Sequence, residues 1–262
     1  MPRLLRRLDA RSVLLAGGGL AALGLALHGA ARSDALLFAL RAATGMASAA
    51  SFVTGGLLAA RLAGQARELS AGLVLGLYYG GTGLGIIVST LVVSPLVALA
   101  AWPLAWLVLG LLCAAATALS AVCTRSLVAP PVPGAPGGSV RWTPLAFGLG
   151  GYLMFGLGYI GYMTFVITLL REQGLGEVAR TGFYALLGAG VIASSWLWAG
   201  LLQSWRGGQT LALLNGLLAL ATLLPVLSTH VALVFVSGAL FGSVFLSVVA
   251  STTALVRHNL PP

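Results

Sequence analysis

One arginine, Arg41, stands in a run, residues 37–52 (LFALRAATGMASAASF), that is otherwise apolar or small. A charged side chain at bilayer depth costs roughly 2.5 to 3.5 kcal/mol at a helix centre, so such residues mark paths for substrates or ions. At 100° per residue Arg41, Thr44, Gly45, Ser48, Phe52 and Gly55 form one stripe, a face suited to a cavity or another helix. Arg41 could bind an anionic substrate group, with Thr44 on the same stripe, or favour the ionised form of a nearby carboxylate as a coupling ion moves, although the spans themselves hold no Asp or Glu. The competing use is structural: Arg41 lies about two turns inside a helix that starts near Ser33, and could snorkel or pair with backbone carbonyls.

A second set is aromatic. Tyr152, Phe155, Tyr159 and Tyr162 fall at i, i+3, i+7 and i+10, within an arc of about 80°. Ring faces tipped with phenols suit a mostly apolar organic substrate that needs a few hydrogen bonds, and Tyr159 and Tyr162 are the candidates for that contact. Stripes of this kind also serve as packing.

The remaining polar groups carry no chemistry of their own. His28, His230 and His258 are far apart and are expected to be solvated; no metal set and no cofactor site is expected. Cys113 and Cys123 sit ten residues apart in one apolar run, about 15 Å along a helix, too far to bridge, and read as core packing. Asn215 must find a partner at membrane depth, in a neighbouring backbone or hydroxyl. Gly72, Gly76 and Gly80, and Ser243, Ser247 and Ser251, are small-residue ridges for helix packing. No paired carboxylates, no Ser/His/Asp grouping and no phosphate loop are present, because the glycines at 80–85 lack the following Lys-Ser/Thr; the chain does not read as an enzyme.

Composition says what must position these residues. The chain has 262 residues, 59% hydrophobic and only 7% charged, far below the roughly 25% charged of a soluble domain. Its mean hydropathy is +1.01. Apolar runs at 12–31, 35–60, 69–99, 102–124, 144–170, 182–204, 210–227 and 231–256 are each long enough to cross about 30 Å of hydrocarbon. The fold class expected is all-α: a polytopic membrane bundle of eight transmembrane helices in two four-helix blocks, 1–127 and 143–262, joined by a Pro/Gly linker at 128–142. The basic start followed by 12–31 also fits a signal peptide, but the run is longer than an h-region and matches an internal helix, so it reads as a retained span.

The formal charge of +9 comes from 14 arginines scattered singly, with no basic face, so nucleic acid is not an expected partner; the lipid bilayer is. With a cytoplasmic N-terminus, ten arginines (3, 6, 7, 11, 61, 67, 125, 141, 206 and 257) fall in inside connections and three (32, 171 and 180) outside. Both termini and the linker are then cytoplasmic.

A shift of 197 residues aligns 37–45 with 234–242 and 14–27 with 211–224, so two helices of the first block repeat as the last two of the second. The copies are out of phase; a complete repeat would need two more helices at each end. Repeated bundles are a common plan for secondary transporters.

Here the chain resembles the major facilitator superfamily, whose members have twelve spans in two halves of six, and these residues look like helices three to ten. Arg41-x-x-Thr44-Gly45-x-Ala47-x-Ala49 is similar to that superfamily's fourth-helix motif R-x-x-Q-G-x-G-A-A, associated with proton coupling, with Thr44 in place of the glutamine and Ala47 in place of the second glycine. Gly200-x-Leu202-x-x-x-Arg206-Gly207 is similar to the degenerate copy of its G-x-L-A-D-R-x-G loop, with Ser204 where the aspartate stands. Residues 151–174 (GYLMFGLGYIGYMTFVITLLREQG) with 78–86 (YYGGTGLGI) resemble the YbfB/YjiJ-like bacterial branch. The resemblance implies a secondary active transporter of small organic molecules, present as a truncated or partial fold, working by alternating access in a bacterial inner membrane and coupled to an ion such as a proton. The rival expectation is a non-transporting membrane scaffold or assembly partner. Substrate, direction and oligomeric state are left open.

Overall fold

A computed structural model describes residues 9–65, 71–99, 101–126, 142–198, 200–201 and 208–259. Among them are eight helices: α1 (Ala10–His28), α2 (Asp34–Gln65), α3 (Ala71–Ala98), α4 (Trp102–Cys123), α5 (Trp142–Glu172), α6 (Glu177–Leu197), α7 (Gln209–Leu227) and α8 (Val231–Asn259). No strand occurs among the described residues, and the molecule is an all-α membrane bundle. Seven of these helices are long and apolar enough to cross a membrane; α6, with Glu177 and Arg180 in its first turn, falls short among the described residues. The expected linker lies outside the described residues up to Trp142, where α5 begins.

Local chemistry sets the helix ends. Asp9 caps α1, its carboxylate accepting from the Ser12 amide at 2.9 Å. Pro103 sits in the first turn of α4, where its missing N–H has no cost. The stop between α5 and α6 is a Schellman motif: Gly174 has φ +83°, its N–H reaches Arg171 O at 3.0 Å, and Leu175 N–H reaches Leu170 O at 2.9 Å. Gly176 then caps α6, which starts five residues before the expected 182.

The chain divides into two compact units, residues 1–75 with 92–137 and residues 76–91 with 138–262. In the first, α1 is the central helix and packs against both α2 and α4. A Cβ on Gly17 would stand 2.8 Å from Ala47 O of α2, and one on Gly29 would stand 2.6 Å from Pro103 O of α4. Lipid gives no hydrophobic drive for helix association, so such close backbone approach, with its dispersion contacts, is what holds the pairs together. Polar crossings add to it. Ser51 donates to Leu14 O at 3.0 Å, and Arg11 donates to Ala121 O at 2.9 Å and to Thr124 at 3.2 Å.

In the second unit α8 is central and packs against α6 and α7. Phe183, Leu187, Val191, Leu214, Ala221, Val234, Phe241, Val244 and Val248 form its fully buried core. Ser247 and Ser251 are buried in the same helix, as their packing role requires, and Ser247 donates to Ser194 O at 3.3 Å. Outward-facing Leu, Val and Phe side chains, such as Phe38 and Leu153, are strongly exposed, the surface expected of helices that meet acyl chains.

Candidate functional site

The four candidate residues fall in two places, one in each unit. In the first, the Arg41 guanidinium lies over the Trp106 ring, 4.8 Å from its centroid. The His28 imidazole stacks on the same Trp106 at 4.6 Å, with an interplanar angle of 24°. An indole face attracts a cation electrostatically, and more strongly once desolvated, so Trp106 holds Arg41 at a fixed place on the exposed side of α2. Thr44 turns toward α1 instead: its side chain packs directly on Gly24, and its hydroxyl is buried without a hydrogen-bond partner.

His28 differs from expectation. It is 1% exposed rather than solvated, because Trp106 covers its ring and Nδ1 meets Gly24 O at 2.6 Å within its own helix. That contact assigns the proton to Nδ1 in the neutral ring, leaving Nε2 as a buried acceptor without a partner. His230 is exposed, as expected. Cys113 is half-buried and approaches Gly18 O at 3.7 Å, whereas Cys123, expected in packing, is exposed at the end of α4. Both thiols are free.

In the second unit, α5 and α7 enclose a groove of about 810 Å³. The expected tyrosines Tyr159 and Tyr162 line its α5 wall with Phe155 and Phe165, and Asn215, Ala219, Thr222 and Val226 line the α7 wall. Tyr159 packs against Phe155 at 5.1 Å and Phe245 at 4.9 Å; Tyr162 stacks on Phe241 at 4.3 Å. Tyr152 is about one-third exposed, packs on Phe155 and lies outside the lining. Asn215 finds its partner in its own helix, Nδ2 donating to Leu211 O at 2.9 Å.

A proline sets the polar geometry beneath the groove. Pro225 lies inside α7 and has no N–H to give the carbonyl four residues before it, that of Ala221. Ser237 of α8 supplies the missing donor, its hydroxyl reaching Ala221 O at 2.6 Å. With that hydrogen committed, the Ser237 oxygen accepts from Tyr162, 2.7 Å away. Gln173 in turn donates to Pro225 O at 2.7 Å. The Ala221 and Pro225 carbonyls of α7 are therefore each met by a side-chain donor, and Tyr162 is the outermost link of the chain through Ser237. A proline in a span was a legible signal of a freed carbonyl; that Ser237 would answer it depended on helix placement.

A family described as "Uncharacterised MFS-type transporter YbfB" matches residues 3–262. The chain belongs to that family. Being a YbfB-type member of the major facilitator transporters, it is a multi-pass membrane protein that moves a small-molecule substrate, and it is not an enzyme. No match is found among curated proteins. YbfB-type membership does not favour the scaffold reading, and it agrees with the branch that residues 151–174 resemble.

Proposed function

We propose that this protein is a secondary active transporter of small organic molecules that works by alternating access in a bacterial inner membrane, with both termini cytoplasmic and transport coupled to an ion such as a proton. The observation that carries this reading is the groove of about 810 Å³ beside Tyr159 and Tyr162, a volume suited to a drug-sized ligand. It supports Tyr159 and Tyr162 as substrate contacts. Arg41, steadied on Trp106, is the cationic contact of the first unit, and Thr44 on the same helix sets its packing against Gly24.

Proteoliposomes holding the protein, screened with labelled organic solutes under an imposed pH gradient, test the reading. Accumulation or depletion that responds to the gradient and falls at least about tenfold in Arg41→Ala is the expected result. Solute movement that ignores the gradient would remove the coupling. Transport unchanged in Arg41→Ala, Tyr159→Phe and Tyr162→Phe together would remove these residues from the site.

A further inference from the structure

The chemistry of the groove in the second unit narrows the ligand, given that this groove is the substrate surface. Of its polar atoms, two have their hydrogens committed inward: Tyr162 donates to Ser237, and Thr222 donates to Ala219 O at 2.8 Å. Both oxygens are left with lone pairs alone. Asn215 gives one amide hydrogen to Leu211 O and keeps its carbonyl oxygen with two lone pairs. The remaining donors are neutral ones, the Tyr159 hydroxyl and the second Asn215 amide hydrogen. Among the described residues no arginine, lysine or histidine lines the groove. Four aromatic rings do, Phe155, Tyr159, Tyr162 and Phe165, and Phe165 is 68% exposed. Ring faces are electronegative, and acceptor oxygens outnumber donors. An anion placed here would meet few donors and no positive charge. An ammonium group would meet acceptors on one wall and π-faces on the other.

We infer that the groove binds the cationic end of an apolar organic amine, with the ammonium directed to the Asn215 carbonyl oxygen and the hydrocarbon body against the aromatic wall of α5. No carboxylate lines the groove among the described residues, so binding there draws on hydrogen bonds and ring electrostatics rather than an ion pair.

Three probes of equal size but different charge test this: 1-naphthylmethylamine, 1-naphthylmethanol and 1-naphthoate. Each is equilibrated by dialysis with the whole protein in phosphatidylcholine nanodiscs, with empty nanodiscs as the blank. The amine is expected to bind about tenfold tighter than the naphthoate. Asn215→Leu should weaken amine binding about fivefold and the alcohol less; Phe165→Leu, at an exposed site that does not test folding, should weaken all three probes by a similar factor, up to about threefold, through lost contact with the naphthyl ring. Naphthoate binding equal to or better than the amine would overturn the inference. So would binding of none of the three, or amine affinity unchanged in both variants. Dialysis needs no turnover, so a protein that binds the amine yet moves no solute would defeat the transport reading alone.

Discussion

The helix pairs α1–α2 and α7–α8 share one sequence pattern, and the faces of α1 and α7 that turn away from their pair partners differ. Each pair packs closely within its own unit. On α1, the residues Gly18, Ala22, His28 and Gly29 all meet α4: Gly18 lies against Thr117, Ala22 against Gly110, His28 against Trp106 and Gly29 against Pro103. The shift of 197 residues carries these positions to Asn215, Ala219, Pro225 and Val226, and all four line the groove of the second unit. Small residues let helices approach to backbone contact, whereas an amide and a branched side chain hold them apart. The face that one copy uses to seat a helix lines the groove in the other, with Asn215 and Val226 in place of Gly18 and Gly29, Ala219 in place of Ala22 and Pro225 in place of His28. The difference also explains Pro225. An interior proline in α1 would face α4, whereas in α7 it faces the groove and its freed carbonyl is answered by Ser237 from the opposite side.

The most severe way to break the comparison is to give the first copy the second copy's residue. Gly29→Val would place a Cβ 2.6 Å from the Pro103 carbonyl oxygen and 3.2 Å from its carbon, and backbone cannot rotate away as a side chain can. The expected cost is about 3 kcal/mol in reversible unfolding from mixed micelles, with α1 and α4 forced apart. The reverse exchange, Val226→Gly, removes an exposed side chain at the groove and should change stability far less. Equal losses from the two substitutions would mean that the α7 face is packed after all.

Much of this frame was legible in residue order, for reasons that differ by element. Eight helices and their membrane setting follow from apolar run length, since a span must satisfy its backbone internally. The stop after α5 was present in REQGLG, where a glycine follows the last turn and a leucine follows the glycine, the pattern a Schellman end uses. The tyrosine stripe of α5 lines the groove at Tyr159 and Tyr162 because helical spacing fixes which side chains share a face. What residue order did not carry was contact between helices. Thr44 shares a stripe with Arg41, yet it turns into Gly24 while Arg41 reaches Trp106, because the crossing of α1 divides that stripe. His28 was expected in water, and only the approach of α4 at Gly29 brings Trp106 over it. The Ser237 answer to Pro225 joins residues on two helices whose register no spacing rule sets.

That tie sharpens the comparison at the next level of energy. Ser237→Ala leaves the buried Ala221 carbonyl without a donor and the Tyr162 hydroxyl without an acceptor, an expected loss of about 2 kcal/mol. Pro225→Ala restores the amide that the helix itself would use for Ala221 O. In that background Ser237→Ala should cost less than about 1 kcal/mol, so the double-mutant cycle should show coupling of at least about 1 kcal/mol. Additive losses would mean that Ser237 contributes through packing and that the proline did not create its role.

The smallest expected effect concerns how the two copies begin. Asp9 caps α1 through the Ser12 amide, whereas α7 starts at Gly208 with no side-chain cap. Asp9→Ala should therefore cost about 1 kcal/mol, whereas Gly208, in αR rather than extended backbone, has no side-chain cap to lose. The sign with pH separates this cap from a packing effect. Hydrogen bonding from Ser12 holds the Asp9 carboxyl below its ordinary value. A group whose folded pKa is lowered adds stability above its unfolded pKa and loses it as pH falls through the folded one. The wild type should thus lose its margin over Asp9→Ala on acidification below about pH 4. A margin for Asp9 that persisted at low pH would place its contribution in contacts other than the carboxylate cap, and would remove one of the asymmetries between α1 and α7.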